Sequence, residues 1–467
     1  MNRFVSCIVF FIVFLVFVAK SSIVLDPDFG WHIRMGEYIL THGIPAIDPF
    51  SYTMPSFPFI DHEWLTNIGM YSLFTYTGQT ILIVMCSLLA TLALFIPLRF
   101  KLTYLSILPL TLSAITLLSF IGVRTQVITM FFVSLFVVLL NRDVWKKYLW
   151  ALPLLMVLWV NLHGGFAVGV GMVLAYVVST VVIRRKINIK DWSVLLTTVL
   201  ATFVNPYGPR IWTEVFSQIS DIHLRFSIAE WLPAFFFSNL AFWLFFAVSV
   251  FFVVRYFRTF PKEQLALYGV LLVMAISSIR HIPLWIMVAL PLTTEAFAYF
   301  AHDAKRVTHG AKRLRMAFLF FCIICGIIGS VQIWFSFILA HDSSESVFYP
   351  KKAVMYLQAY PARGNLFSYY SWAGYVVWKL PDKKDFVDGR MPSWNNPNAP
   401  RTESKNAFSD YFLLTETRKS FRVGADKYHI DTVLLPTDLY QTFKKKLVKE
   451  GWKKVYSDKV ATIYRRK

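Results

Sequence analysis

The chain of 467 residues is 56% hydrophobic and 17% aromatic, only 16% charged, and carries a formal net charge of +20. Repeated apolar runs of about twenty residues exclude a soluble globular protein and define a polytopic membrane protein. Lys and Arg cluster beside those runs, where they set topology and meet anionic headgroups. No basic and aromatic nucleic-acid motif accompanies them, so nucleic acid is excluded as a partner.

The four cysteines all fall inside apolar runs, so no disulfide framework is expected. Cys322 and Cys325 read as packed helix thiols, since no nearby charge would stabilise a thiolate.

Taken in order, Phe4 to Leu25 form the first span, an uncleaved anchor. Asp26 to Leu65 then make an unusually long outer loop, and Glu63 to Thr77 a short helix at the membrane surface. Further runs follow at Thr80–Leu98, Thr103–Ile121, Thr125–Leu140, Leu149–Leu162, Phe166–Ile183 and Ser193–Val204. The series ends with Leu240–Val254, Leu265–Ile279, Ile282–Phe300 and Ala317–Ala340. The expected fold is an all-α polytopic bundle of about eleven transmembrane helices, followed by a small C-terminal α/β domain. The division is residues 1–340 for the membrane part and 341–467 for the outer domain.

Basic groups at Arg99 and Lys101, Arg142 to Lys147, Arg184 to Lys186, Arg255 to Lys262 and Lys305 to Arg315 all land on the side of Arg3. The other connectors hold mainly Arg34, Arg124, Arg210, Arg225 and Arg280. That asymmetry puts the N-terminus in the cytoplasm and the C-terminal domain outside. In that domain, Asn365 to Leu380 and Asp385 to Asp388 read as strands around a turn, and Thr432 to Leu435 as a further strand. Asp438 to Glu450 reads as an amphipathic helix and Val455 to Arg465 as a hairpin.

The polar motifs gather on the outer face. They are Asp26-Pro27-Asp28, Trp31-His32, Asp61-His62-Glu63, Arg124 with Gln126, Asn161 to Gly165, Asn205 to Arg210, Glu230-Trp231 and Arg280-His281. Ionisable groups near membrane depth are costly unless they face protein or water, so together they suggest a wet cleft. Asp26 and Asp28 suit a general base or a divalent-metal site; alternatively Asp28 caps a helix. Asp61, His62 and Glu63 offer metal ligands or a second base, against helix capping at Trp64. Arg124, Arg210, Arg280 and His281 suit phosphate, against snorkelling to the interface. His163 is either a ligand or a satisfied helix-end histidine.

In series, these motifs resemble a widespread group of bacterial polytopic proteins in the GT-C glycosyltransferase superfamily. The resemblance runs through DPDFGWH, GIPAIDPFS, DHEWL, NLHGGF, NPYG and RH, and reaches Trp372-Ala373-Gly374-Tyr375 and Asp388-Gly389-Arg390. Thr125 departs from it, since proline is common there. The resemblance implies a GT-C-like fold and transfer of a sugar from a polyprenyl-phosphate donor to an envelope glycan, lipid or protein acceptor. It implies Asp28 or Asp26 as base or metal ligand, with Glu63 and His62 as a second carboxylate-containing site. Arg280 and His281 would hold the lipid phosphate, with Arg124, His163, Arg210, Trp31 and His32 as further substrate contacts. It also implies a divalent cation, Mg or Mn, for which Asp28, Asp61 and His62 are the candidate ligands. The competing reading is a non-enzymatic transporter or assembly factor for lipid-linked envelope polymers.

Overall fold

Every apolar run read from the sequence lies on a helix. A computed structural model describes residues 3–141, 144, 147–185, 187–221, 226–306, 311–416 and 420–466. Of the basic residues used for topology, Arg142, Lys146, Lys186 and Arg225 lie outside these.

The chain forms two compact units: Met1–Ser22, Ile83–Pro209 and Arg225–Ala340 make the first, and Ile23–Leu82, Arg210–Leu224 and His341–Lys467 the second. The helices, in chain order, begin with α1 (Arg3–Ser21), α2 (Phe29–His42), α3 (Trp64–Thr77), α4 (Gln79–Phe95), α5 (Ile107–Leu117), α6 (Gln126–Leu139) and α7 (Ala151–Leu162). They continue with α8 (Phe166–Arg184), α9 (Ile189–Ala201), α10 (Ile211–Ser220), α11 (Leu240–Arg255), α12 (Lys262–Ser277), α13 (Ile282–Arg306) and α14 (Ala311–Asp342).

In the first unit α13 is the central element. It packs against α5, α6, α11 and α12, and buries Trp285, Met287, Ala289 and Leu290 completely. Among the described residues, four helical segments are long and apolar enough to cross a membrane: Arg3–Ser21, Phe166–Ile183, Ile279–Asp303 and Phe320–Asp342. The shorter apolar helices α4, α6, α7 and α11, and the Tyr104–Leu117 stretch, fill in between them in the sequence. The first segment has a mean hydropathy of 2.6 but is only 17% buried, leaving apolar side chains such as Phe11, Ile12 and Leu15 exposed. Water disfavours such a surface and a bilayer solvates it.

The second unit joins the long outer loop to the C-terminal region. That region adds α15 (Lys351–Ala359), α16 (Ala373–Lys379), α17 (Ala407–Glu416), α18 (Phe421–Lys427) and α19 (Gln441–Lys449). Its strands are β1 (Asn365–Ser368), β2 (Ile430–Pro436), β3 (Lys453–Ser457) and β4 (Ala461–Arg465), in the order β1-β2-β4-β3. β1 runs parallel to β2, and β4 pairs antiparallel with both β2 and β3. The expected strand at Thr432, the helix after Asp438 and the final hairpin are therefore all present.

Two expectations change. Of the Asn365 to Leu380 stretch expected as strand, the part after β1 contains the helix α16, whose Ala373 to Val377 are all buried. Burial on every side removes the one-face signal that separates the two periodicities. Asp385 to Asp388 form no strand; Asp385 exchanges a single rung with the outer loop, its N–H donating to Phe50 O (2.9 Å) and its O accepting from Tyr52 N (3.1 Å). The long loop after α1 is itself structured: it contains α2, which packs on α3 and α16.

Candidate active site

Asp28 stands at the N-cap position of α2, but its side chain makes no capping hydrogen bond. Its Oδ1 instead accepts from Trp31 Nε1 at 2.9 Å. Asp26, 7% exposed, accepts the Asp28 N–H on Oδ1 at 3.0 Å and so shapes the turn. Of the two acids, Asp28 is the half-buried one and Asp26 the buried one. A capping role for Asp28, open from the sequence, is thus not the role its carboxylate has.

Glu63 repeats the pattern at the N-cap of α3, again without a side-chain cap. Its carboxylate lies between two histidines, 3.5 Å from His32 Nδ1 and 3.6 Å from His62 Nε2. Asp61 accepts the Glu63 N–H (3.0 Å) and Asn67 Nδ2 (2.8 Å), and Asn67 Oδ1 meets His32 Nδ1 at 2.6 Å. The Trp31 and His32 rings lie against each other, tilted by 33°, with centroids 3.6 Å apart. Asp28, Trp31, His32, Glu63 and His62 therefore form one continuous chain of contacts. Burial raises the Asp61 pKa above the usual carboxylate value, against the Glu63 N–H and His62. Burial also opposes charge on His62, but the adjoining Glu63 outweighs it and the His62 pKa rises. Both groups thus hold protons more firmly than in water.

The metal set expected from Asp28, Asp61 and His62 meets a geometric objection. Both oxygens of Asp61 are already engaged by Asn67 and the Glu63 N–H. Among the described residues no group of three or more His, Cys, Asp or Glu side chains could hold a metal ion.

The first unit carries a second cluster, on loops at helix ends. Arg124 Nη2 donates to Glu230 Oε1 at 2.6 Å, and Gln126 Nε2 to Oε2 at 3.2 Å. Ser278 Oγ donates to Glu230 O (3.1 Å), and Ile279 N to Leu232 O (2.8 Å). The Arg280 guanidinium lies 5.2 Å from the centre of the Trp231 ring, and His281 meets the same ring edge-on. Three motifs far apart in sequence thus converge. Burial disfavours charge on Glu230, but Arg124, then Arg280 and Gln126, outweigh it and hold the carboxyl at about 2. Arg124 is therefore already charge-compensated, which leaves Arg280 with His281 as the better anion partners in this cluster. Glu230 belongs to the Glu230-Trp231 motif read from the sequence, which assigned it no specific role.

His163 and Arg210 lie in neither cluster. His163, 3% exposed, accepts the Gly165 N–H on Nδ1 (2.9 Å), with Thr129 Oγ1 2.8 Å away. These contacts engage its Nδ1 at the end of α7. Arg210, in the second unit, is exposed at the start of α10.

The fold is that of a mostly helical integral membrane protein with a small C-terminal mixed sheet. In particular, the chain is similar to ArnT from Cupriavidus metallidurans. Against that protein's crystal structure bound to undecaprenyl phosphate, the TM-score is 0.53 at 11% identity, over 98% of this chain and 97% of that one. Against its apo structure the TM-score is 0.51 at 10% identity, with the same coverage. The likeness is one of fold. No protein-family model matches the chain, and no curated protein matches it in sequence.

Proposed function

We propose that the protein is a glycosyltransferase of the bacterial plasma membrane that moves a sugar from a polyprenyl-phosphate donor to an extracytoplasmic envelope acceptor. The observation that carries this reading is the Asp28 carboxylate: it heads a helix without capping it, in a chain whose fold resembles that of an ArnT bound to undecaprenyl phosphate.

In the proposed reaction Asp28 takes the proton of an acceptor hydroxyl. The acceptor oxygen bonds to the anomeric carbon, the bond from that carbon to the phosphate oxygen breaks, and polyprenyl phosphate leaves with the electron pair. Arg280 and His281 hold the phosphate and stabilise its developing charge. Glu63, between His32 and His62, is the second carboxylate and favours the protonated form of His62. Asp26 sets the turn on which Asp28 sits. The apolar helices keep the lipid tail in the bilayer while the headgroup reacts at the outer face.

The test is transfer from undecaprenyl-phosphate-linked sugars, supplied as a panel to the full chain in lipid nanodiscs. Wild type is expected to release undecaprenyl phosphate, and an inserted, folded Asp28→Asn variant to fail. Transfer that survives the substitution removes Asp28 as the base. Binding of undecaprenyl phosphate without turnover would favour the transporter or assembly reading. Repeating the assay after EDTA, then with Mg or Mn restored, tests dependence on a divalent cation.

A further inference from the structure

We propose that the Trp372–Tyr375 and Asp388–Arg390 motifs are positioning elements that clamp the Asp26-Pro27-Asp28 turn and set the aim of the Asp28 carboxylate. The inference deepens the reading of Asp28 as the base and rests on it.

Both motifs centre on a glycine, and both glycines are sites of close approach. A Cβ at Gly374, on α16, would lie 2.5 Å from the Pro27 carbonyl oxygen and 3.2 Å from Trp31 Cδ1. α2 presents its own glycine at the same contact: a Cβ at Gly30 would lie 2.2 Å from Gly374 O. A Cβ at Gly389 would lie 2.2 Å from Asp28 Oδ1 and 3.2 Å from Asp28 Cγ. Non-bonded carbon atoms prefer separations of about 3.5–4.0 Å, so none of these positions has room for a side chain as built. The turn therefore rests on Gly374 through its backbone and on Gly389 through the carboxylate itself.

Backbone conformation does not explain the glycine at 389. Among the described residues the glycines with positive φ are Gly43, Gly78, Gly208 and Gly451, so any residue could adopt the backbone at 389. Gly374 lies inside a helix, where glycine is about 1 kcal/mol worse than alanine. What both positions require is space for the turn.

Gly389 is itself held firmly. Asp388, 0% exposed, accepts from Arg390 Nη2 at 2.7 Å and Nε at 2.9 Å, and its Oδ1 accepts the Arg390 N–H at 2.9 Å. Arg390 Nη1 donates to Asp48 Oδ1 at 2.9 Å, and the guanidinium lies over Phe50, Phe59 and Trp394. Asp48 in turn accepts the Ser51 N–H at 2.9 Å. A bidentate pair fixed this way leaves the Gly389 backbone little freedom to yield. Two stretches of the outer loop, at Asp28 and Asp48, are thus registered against one C-terminal turn.

The experiment uses Gly389→Ala in the full chain in nanodiscs. Asp28 is labelled with carbodiimide and glycine ethyl ester and quantified by peptide mass spectrometry, and transfer is measured alongside. Asp28 labelling is expected to rise several-fold, and kcat to fall about 10²-fold with the donor KM unchanged, the cost of misplacing a reacting group by about an ångström. Should Gly389→Ala fold poorly, the Asp28→Ala/Gly389→Ala double variant decides. Removing the carboxylate makes room for the new Cβ, so the double variant is expected to regain the melting temperature that the single one lost. Unchanged labelling and transfer in Gly389→Ala overturn the inference, as does a double variant no more stable than the single. If Asp28→Asn transfers normally, the base assignment fails instead, while labelling and the double-variant cycle still report on the clamp.

Discussion

The two polar clusters are built from similar residue types but hold charge differently. Around Arg124, Glu230 and Arg280 a single carboxylate meets two guanidinium groups, and its pKa is held at about 2. The Glu230 side chain is 31% exposed, so the cluster remains open to solvent. Around Asp28 and Glu63 acids outnumber cations, histidines flank a carboxylate, and the Asp61 and His62 pKa values are raised. The excess of guanidinium groups over carboxylates in one cluster suits binding of an anion; the acids and histidines gathered in the other suit proton transfer. The contrast follows from local stoichiometry of charge and from burial, two quantities that mutation can change separately.

The largest effect that can break the contrast is loss of the proton acceptor. Asp28→Asn is expected to lower transfer by about 10²–10⁴-fold while leaving undecaprenyl phosphate binding intact, read by initial rates and by native mass spectrometry. If binding falls and turnover per bound lipid does not, the roles of the two clusters have been exchanged.

Next is the buried tie in the second unit. The Arg390 side chain is 3% exposed and pairs with two carboxylates. Arg390→Ala strands those acids, at an expected cost of about 3–5 kcal/mol, measured by chemical denaturation in detergent. In the first unit, the smaller change Arg280→Ala is expected to weaken undecaprenyl phosphate binding by about tenfold, equivalent to roughly 1.4 kcal/mol, and to spare the Asp28 labelling rate. Arg124→Ala is expected to act mainly by leaving Glu230 without its closest partner.

The smallest effect is a pH dependence with opposite signs in the two units. Asp385 is 1% exposed, and among the described residues no hydrogen-bond donor reaches either of its oxygens. Burial, with Asp388 beside it, raises its pKa well above the usual carboxylate value. The folded state therefore keeps a proton that the unfolded chain releases, and this contribution to stability is lost as pH rises from the ordinary carboxylate pKa toward the raised one. Asp385→Asn mimics the protonated group and is expected to flatten that slope in thermal melts. Glu230 works the other way: its contribution is present above its ordinary pKa and is lost as pH falls through about 2.

Much of the fold was legible because hydrophobicity and turn chemistry are local. Apolar runs located the helices, the short apolar stretch Thr432–Leu435 located the strand that spans Ile430–Pro436, and Asp438 announced the helix that follows it. The Asn365 to Leu380 stretch misled because Tyr375, Val376 and Val377 suit a strand or a fully buried helix alike, and packing against α2 chose the helix. The candidate residues were visible as acids, histidines and arginines beside apolar runs. Their roles were not, because a carboxylate at a helix start reads the same whether it caps the helix or faces elsewhere.

By itself the sequence determined a polytopic helical membrane protein, its polar motifs and the pieces of its terminal sheet, since each depends on residues within about ten positions of one another. Only the tertiary structure decided that Asp28 and Glu63 do not cap their helices, that Arg124 is spent on Glu230, and that Asp48 meets Arg390 across 342 positions. Those outcomes depend on which groups share a buried space, where an unpaired charge costs several kcal/mol, about as much as a marginally stable fold has to spare.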